Sequence, residues 1–98
     1  MVAYWLARAT VNDPERYKKY AEAAPAILQK YGGRFLARGG TFEILEGPKA
    51  FGRFVVIEFP SLDQAVACHA SAEYQAAARH RQQDGASELE LVIVESLA

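Results

Sequence analysis

The chain has 98 residues, which is enough for one domain and too few for two. Its 11 basic and 12 acidic side chains give a formal net charge of −1, so we expect no partnership with nucleic acid or with a membrane. No stretch approaches the roughly 20 apolar residues that span a bilayer. The first residues do not resemble a signal peptide, and the single cysteine, Cys68, excludes an internal disulfide bond. We therefore predict one domain over residues 1–98, with a cytoplasmic location.

The N-terminal third predicts a strand followed by a long helix. Residues 2–11 form the strand, and Asp13 and Pro14 then suit the N-cap and the first position of a helix. The helix is expected to end at Gly32-Gly33. Because proline lacks an amide hydrogen and its ring collides with the preceding turn, Pro25 is expected to kink or break this helix.

The next segment allows two interpretations. Residues 34–38 predict a short strand, and residues 41–46 are strand-like again after the pair Gly39-Gly40. The glycine pair is either a two-residue hairpin turn or a bulge that bends one long strand. The bend is favoured because residues 47–52 make the better turn. Residues 53–59 then form a strongly apolar strand.

The C-terminal part predicts a helix in two pieces and a last strand. Ser61 and Gln64 match a capping box, and Ser71 caps a second helical segment. Residues 88–95 form the last strand. The order β-α-β-β-α-β predicts an α+β fold, a ferredoxin-like antiparallel sheet with both helices on one face.

Both faces of the predicted sheet are mainly apolar. Trp5 and Ile57 mark one face, while Leu6 and Val56 mark the other. An antiparallel sheet with one wet face would instead alternate apolar and polar residues. Leaving several hundred Å² of apolar sheet in water, at roughly 25 cal/mol per Å², is too costly for a domain with about 5–15 kcal/mol of net stability. We therefore expect a homodimer in which two sheets pack face to face as an α+β barrel.

Several motifs resemble one family over nearly the whole chain. They include DPERY at residues 13–17, YGGRFLARGG at 31–40, VIEFPS at 56–61 and SAEYQ at 71–75. These residues are similar to the family known as domain of unknown function 1330, within the dimeric α+β barrels. The resemblance implies that fold but no reaction, because distant barrel relatives include cofactor-free monooxygenases, isomerases, haem enzymes and binding modules. The chain departs from the family pattern at His69, where an aromatic residue is usual, and at Ala72, where proline is common.

Charged side chains on these apolar faces are the candidate site residues. Glu58 lies among apolar neighbours, and Arg34, Leu36 and Arg38 are expected to share one strand face. Because a charge buried alone costs several kcal/mol, Glu58 is expected to pair with Arg38 or Arg81. Such a cluster could bind a carboxylate or an enolate through arginine. Alternatively, it is a structural ion pair that fixes the geometry of the sheet or the dimer.

Other polar residues add candidates around this cluster. Tyr74 and Arg81 lie on one helical stripe, which carries Arg81 toward the sheet. His69 is a candidate general base, because histidine exchanges protons near neutral pH. Tyr17 and Tyr20 could line an aromatic pocket, although their helical spacing suits the core equally well. We predict no metal site and no cofactor, since neither a ligand cluster nor a phosphate-binding glycine motif is present.

The leading interpretation is a homodimer that binds a small apolar or aromatic metabolite between sheet and helices. Glu58, Arg38 and Arg81 would orient the polar end of the ligand, with His69 and Tyr74 near the mouth. If the protein is an enzyme, cofactor-independent oxygenation or isomerisation fits best, with Glu58 and His69 as the catalytic residues. The alternative is a non-catalytic homodimer whose buried charges only stabilise the interface.

Overall fold

The computed structural model describes all 98 residues and contains one four-stranded antiparallel sheet. The elements along the chain are β1 (Ala3–Val11), α1 (Pro14–Lys30), β2 (Arg34–Arg38), β3 (Arg53–Phe59), α2 (Leu62–Ala70), α3 (Ala72–Gln82) and β4 (Ser87–Glu95). The strands lie in the order β2-β3-β1-β4. This arrangement confirms the predicted ferredoxin-like fold. None of the helices combines the length and the apolar character that crossing a membrane requires.

Helix α1 begins where the sequence predicts and continues past its proline. The side chain of Asp13 accepts hydrogen bonds from the amides of Glu15 and Arg16, both at 3.2 Å, which confirms the N-cap. The helix continues through Pro25, so the predicted interruption is wrong. Proline leaves only the carbonyl of Ala21 without its helical donor, and the remaining hydrogen bonds of this 17-residue helix hold the turns together.

The end of α1 brings its backbone close to the sheet at Gly33. The amide of Gly33 donates to the carbonyl of Leu28 and that of Gly32 to the carbonyl of Gln29, each at 2.9 Å, which is a Schellman motif. A Cβ atom on Gly33 would lie 2.8 Å from the Leu28 oxygen and 2.9 Å from the Phe59 ring. Only glycine therefore fits at this position without a shift of helix or strand.

The chain leaves the sheet at Gly39, not after residue 46. Residues 41–46 have no regular structure, so the predicted extension of the strand is wrong, as is the predicted bend at the glycine pair. The amide of Gly39 donates to the carbonyl of Phe54 at 3.1 Å, and its φ of +64° then directs the chain away from β3. The loop returns at Gly52, whose amide donates to the carbonyl of Ala9 at 3.0 Å.

A register shift within β2 separates two arginines that the sequence suggested were on one face. The shift lies between Phe35 and Ala37, where the pairing with β3 changes. Arg34 pairs with Glu58, whereas Arg38 pairs with Val55. Glu58 and Val55 point to opposite faces of β3 because they are an odd number of residues apart. The expectation that Arg34 and Arg38 share a face is therefore wrong.

The helices cover one face of the sheet and leave the other open. On the covered face the ring of Trp5 stacks on Phe59, with centroids 5.6 Å apart, and meets the edge of Tyr74 at 5.2 Å. On the open face Leu6 retains 40% exposure and Val92 retains 60%. The apolar second face predicted from the sequence is therefore present, and this chain alone does not cover it.

Replacing Gly33 by alanine is expected to destabilise the fold by about 1–3 kcal/mol, because the new methyl group overpacks the contact between α1 and Phe59. The matched control is Gly40→Ala, where no atom lies within 4 Å of an added Cβ and stability should change by less than about 1 kcal/mol. Urea unfolding at one fixed protein concentration measures both variants. Equal midpoints for the two variants would contradict the proposed close approach.

Candidate ligand-binding site

A cleft lies between α1 and the covered face of the sheet. Its cavity volume is about 30 Å³, and the empty space grows to about 420 Å³ when the mouth that opens to solvent is included. The lining is mostly apolar and includes Tyr17, Tyr20, Leu28, Phe35, Val55 and Ile57. Ligand pockets are typically apolar clefts of roughly 300–1,000 Å³ with a few polar groups. The cleft has this character, although in this form it is narrow.

Arg53 supplies a charge at the wall of the cleft. It is the first residue of β3, and its guanidinium carbon lies 5.5 Å from the centroid of the Tyr17 ring. Tyr17 and Tyr20 are neighbours on α1, and their ring centroids are 5.6 Å apart. A Cβ on Gly39 would lie 2.6 Å from Nη1 of Arg53. The missing side chain at Gly39 therefore leaves the space that the guanidinium occupies.

Arg81 lies behind the tyrosines and is only 5% exposed. Its Nη2 donates to the hydroxyl of Tyr74 at 3.2 Å, and its guanidinium carbon is 4.9 Å from the centroid of the Tyr20 ring. The hydroxyls of Tyr20 and Tyr74 share a hydrogen bond of 2.7 Å. Tyr74 and Arg81 lie on one buried stripe of α3, as predicted, and Ala77 and Ala78 between them are buried as well.

Burial decides the charge of the groups in this cluster. Burial raises the pKa of Tyr20 well above its ordinary value, and the adjacent hydroxyl of Tyr74 raises it further. Burial also raises the pKa of Tyr17, against a smaller opposing effect of Arg53. Desolvation lowers the pKa of Arg81, but Tyr74 and Tyr20 outweigh it, so the pKa of Arg81 lies above its ordinary value. At neutral pH Tyr17 and Tyr20 are therefore uncharged and Arg81 is a cation.

Glu58 does not join this cluster. It lies on the open face of the sheet, where Nη2 of Arg34 donates to its Oε1 at 3.2 Å. The predicted pairing of Glu58 with Arg38 or Arg81 is therefore wrong. The reason is the alternation of β3, which puts Val55 and Ile57 toward the cleft and Glu58 away from it.

Of the other candidate residues from the sequence, one lines the cleft and two do not. Arg38 lines the cleft, with its guanidinium carbon 5.0 Å from the centroid of the Phe35 ring. Tyr74 is fully buried in the core and not at a mouth, so that placement is wrong. His69 is half-buried, with its ring 5.8 Å from Trp5 and 5.4 Å from Tyr74, and it does not line the cleft. Their proposed roles in binding or catalysis stay predictions.

Arg53 and Gly39 are the site residues that sequence reasoning missed. Arg53 was treated only as the first residue of an apolar strand, although it precedes Val55 by two positions and so shares its face. The contact with Gly39 has no signal in the sequence, because it depends on where the loop leaves β2. No group of three or more histidine, cysteine, aspartate or glutamate side chains is arranged to hold a metal ion.

The element order, the sheet topology and the one-sided helices define a ferredoxin-like α+β protein with a cleft beneath its first helix. The family model described as domain of unknown function (DUF1330) matches residues 2–97, and the chain belongs to that family. No curated protein matches the sequence.

Several solved structures share the fold at low sequence identity. A protein of unknown function from Rhodopseudomonas palustris has a TM-score of 0.76 and 21% identity, over 99% of this chain and 83% of that one. A dimeric ferredoxin-like protein of unknown function from Bacteroides fragilis has a TM-score of 0.64 and 16% identity, over 97% and 96%. SnoaB, a cofactor-independent oxygenase from Streptomyces nogalater, has a TM-score of 0.67 and 16% identity, over 99% and 94%. At these identities the similarity shows the fold.

Stability is expected to fall as the pH rises above about 9. Burial raises the pKa of the Cys68 thiol from 9.0 to about 11, and that of Tyr20 also lies above its usual 10.0. The unfolded chain therefore releases these protons first, the folded state binds more protons, and the free energy of unfolding declines with pH. Urea unfolding across this pH range should show a smaller decline in Cys68→Ala and in Tyr20→Phe than in the wild type. Identical slopes in all three proteins would contradict the assignment.

Proposed function

We propose that this protein is a homodimer in which each protomer binds a small apolar or aromatic metabolite in the cleft between α1 and the sheet. The observation that carries the proposal is the cleft itself, with aromatic rings and aliphatic side chains on its walls and arginines at its edge. Because its cavity volume is only about 30 Å³, ligand binding requires the cleft to widen.

The open face of the sheet supports the dimer. Leu6, Val56 and Val92 form a contiguous apolar patch across three paired strands, and Val92 is 60% exposed. Patches of this kind on a small protein mark interaction sites. A second copy of the same face matches it by two-fold symmetry. The similar structure from Bacteroides fragilis, which is described as dimeric, agrees with this proposal.

The proposed dimer would place the Glu58–Arg34 ion pair in its interface. The Glu58 side chain is 26% exposed and the Arg34 side chain 71% exposed in the single chain. A second sheet packed on this face would exclude water from both groups and strengthen their attraction. We therefore assign Glu58 to the interface instead of to catalysis.

Val92→Glu is expected to convert the dimer into monomers, because it places a negative charge within the apolar patch of the open face, beside Leu6. The matched control is Val66→Glu, at a valine that is 51% exposed on α2, away from that face. Light scattering after size-exclusion chromatography should give twice the chain mass for the wild type and for Val66→Glu, and the chain mass for Val92→Glu. A monomeric wild type at micromolar concentration would refute the dimer.

Cofactor-independent oxygenation or isomerisation is the reaction class that we propose for an enzymatic role. A cleft with apolar walls and arginines can hold an electron-rich oxygen apart from water, where electrostatic stabilisation is strongest. The shared fold with SnoaB, a cofactor-independent oxygenase, makes this class the first to assay. Fold similarity by itself does not define chemistry.

A non-catalytic binding protein is the second candidate, and one observation favours it. No histidine, aspartate or glutamate lines the cleft, and the tyrosines there keep their protons at neutral pH. A general base would therefore have to come from outside the cleft, whereas binding requires none.

Ala21→Phe is expected to abolish ligand binding, because Ala21 lines the cleft and a phenyl ring there fills its space. Ala23→Phe is the control, since Ala23 is exposed on the same helix and does not line the cleft. The probe is benzyl alcohol, followed by amide chemical shifts in two-dimensional NMR. Wild type and Ala23→Phe should show shifts around the cleft that Ala21→Phe lacks. Equal binding by all three proteins would place the site elsewhere.

A further inference from the structure

Three arginines lie on the cleft side of the sheet without any acidic partner: Arg81 is buried, Arg53 is half-buried and Arg38 is exposed. Arg38, Arg53 and Arg81 form no ion pair with an aspartate, a glutamate or the C-terminus. The Nε atoms of Arg53 and Arg81 are buried and have no hydrogen-bond partner. Buried polar atoms in native proteins are nearly always satisfied, and a buried charge without a counter-ion is costly. Arg53 is the one of the three that both lines the cleft and has an unpartnered buried nitrogen, so an acceptor for it could come from a ligand in the cleft.

The neighbouring tyrosines compensate for these charges only in part. The rings of Tyr17 and Tyr20 face Arg53 and Arg81 through cation–π contacts, and the Tyr74 hydroxyl accepts one hydrogen bond from Arg81. Because burial raises the pKa of Tyr17 and that of Tyr20, these two phenols supply dipoles and not negative charge at neutral pH. The cluster therefore keeps a positive potential directed at an otherwise apolar cleft.

We infer that the cleft selects a small apolar or aromatic carboxylic acid, whose carboxylate binds Arg53 while its body lies against Tyr17 and Tyr20. This inference rests on the proposed function. Arg53 is the arginine that lines the cleft beside these rings, and its planar guanidinium suits a carboxylate through two parallel hydrogen bonds. Arg81 does not line the cleft, and it acts as a positioning residue that adds positive potential and holds Tyr20 through Tyr74.

Gly39 contributes to carboxylate recognition because its lack of a side chain leaves room for the guanidinium of Arg53. A Cβ at Gly39 would lie 2.6 Å from Nη1 and 3.3 Å from Cζ of Arg53. Alanine there forces the guanidinium to move without changing its charge. Gly85 offers a control for backbone strain alone, because its φ of +67° is close to the +64° of Gly39 and no atom lies within 4 Å of an added Cβ.

The experiment compares benzoate with benzyl alcohol, two probes of nearly equal shape that differ in charge, by NMR titration of the dimeric protein. Wild type is expected to bind benzoate about tenfold or more tightly than benzyl alcohol. Arg53→Met and Gly39→Ala should lose this preference and retain the affinity for benzyl alcohol. Gly85→Ala should retain both, as should Lys18→Met, which removes a positive charge from an exposed position on α1 that does not line the cleft.

The outcomes separate this inference from the function on which it rests. If neither probe shifts the cleft amides, the proposed ligand-binding function fails. If benzyl alcohol binds and benzoate binds no better, the binding function stands and carboxylate selection is wrong. A benzoate preference that survives Arg53→Met, or that disappears in Lys18→Met, would overturn the assignment to Arg53. Because Gly39→Ala and Arg53→Met act on the same guanidinium by different routes, a folding defect in one leaves the other as the test.

Discussion

The central constraint on this molecule is that one small sheet carries two apolar faces and the chain has helices for only one of them. Trp5, Phe59 and Tyr74 pack together on the covered face and form the aromatic centre of the core. Hydrophobic burial at roughly 25 cal/mol per Å² dominates the stability of a domain this size. The second face is therefore left apolar and uncovered by this chain, while the covered face holds the cleft beneath α1.

The cleft side of the sheet is unusual in its balance of charge. Arg53 and Arg81 lie among aromatic rings, which offer cation–π attraction but cannot neutralise a charge. A structural network would be expected to contain a carboxylate, as the Glu58–Arg34 pair on the open face does. The absence of such a partner distinguishes the two polar clusters, because one is complete within the chain and the other is not.

The sequence was sufficient for the elements and the fold but not for the contacts that make the site. Apolar strand segments and helix caps such as Asp13 predicted the four strands, the helices and the apolar open face, but not the irregular structure of residues 41–46. The register between β2 and β3 decides which residue each arginine of β2 faces. That register shifts between Phe35 and Ala37, and no local pattern in the sequence indicates the shift. That shift moved Arg38 to the cleft and left Arg34 with Glu58. The predicted interruption at Pro25 failed for another reason, because a long helix tolerates the loss of one hydrogen bond.

The same strands serve both faces, and this links the dimer to the cleft. In β3, Arg53 and Val55 face the cleft while Phe54 and Val56 face the open side. In the proposed dimer, a partner sheet packed on Phe54 and Val56 would restrain the backbone from which Arg53 extends, and the proposed ligand would then lose less conformational entropy in ordering that side chain. Ligand binding and dimerisation would then favour one another by the same free energy in both directions. In that dimer, binding at Arg53 would depend on a surface that Arg53 does not touch.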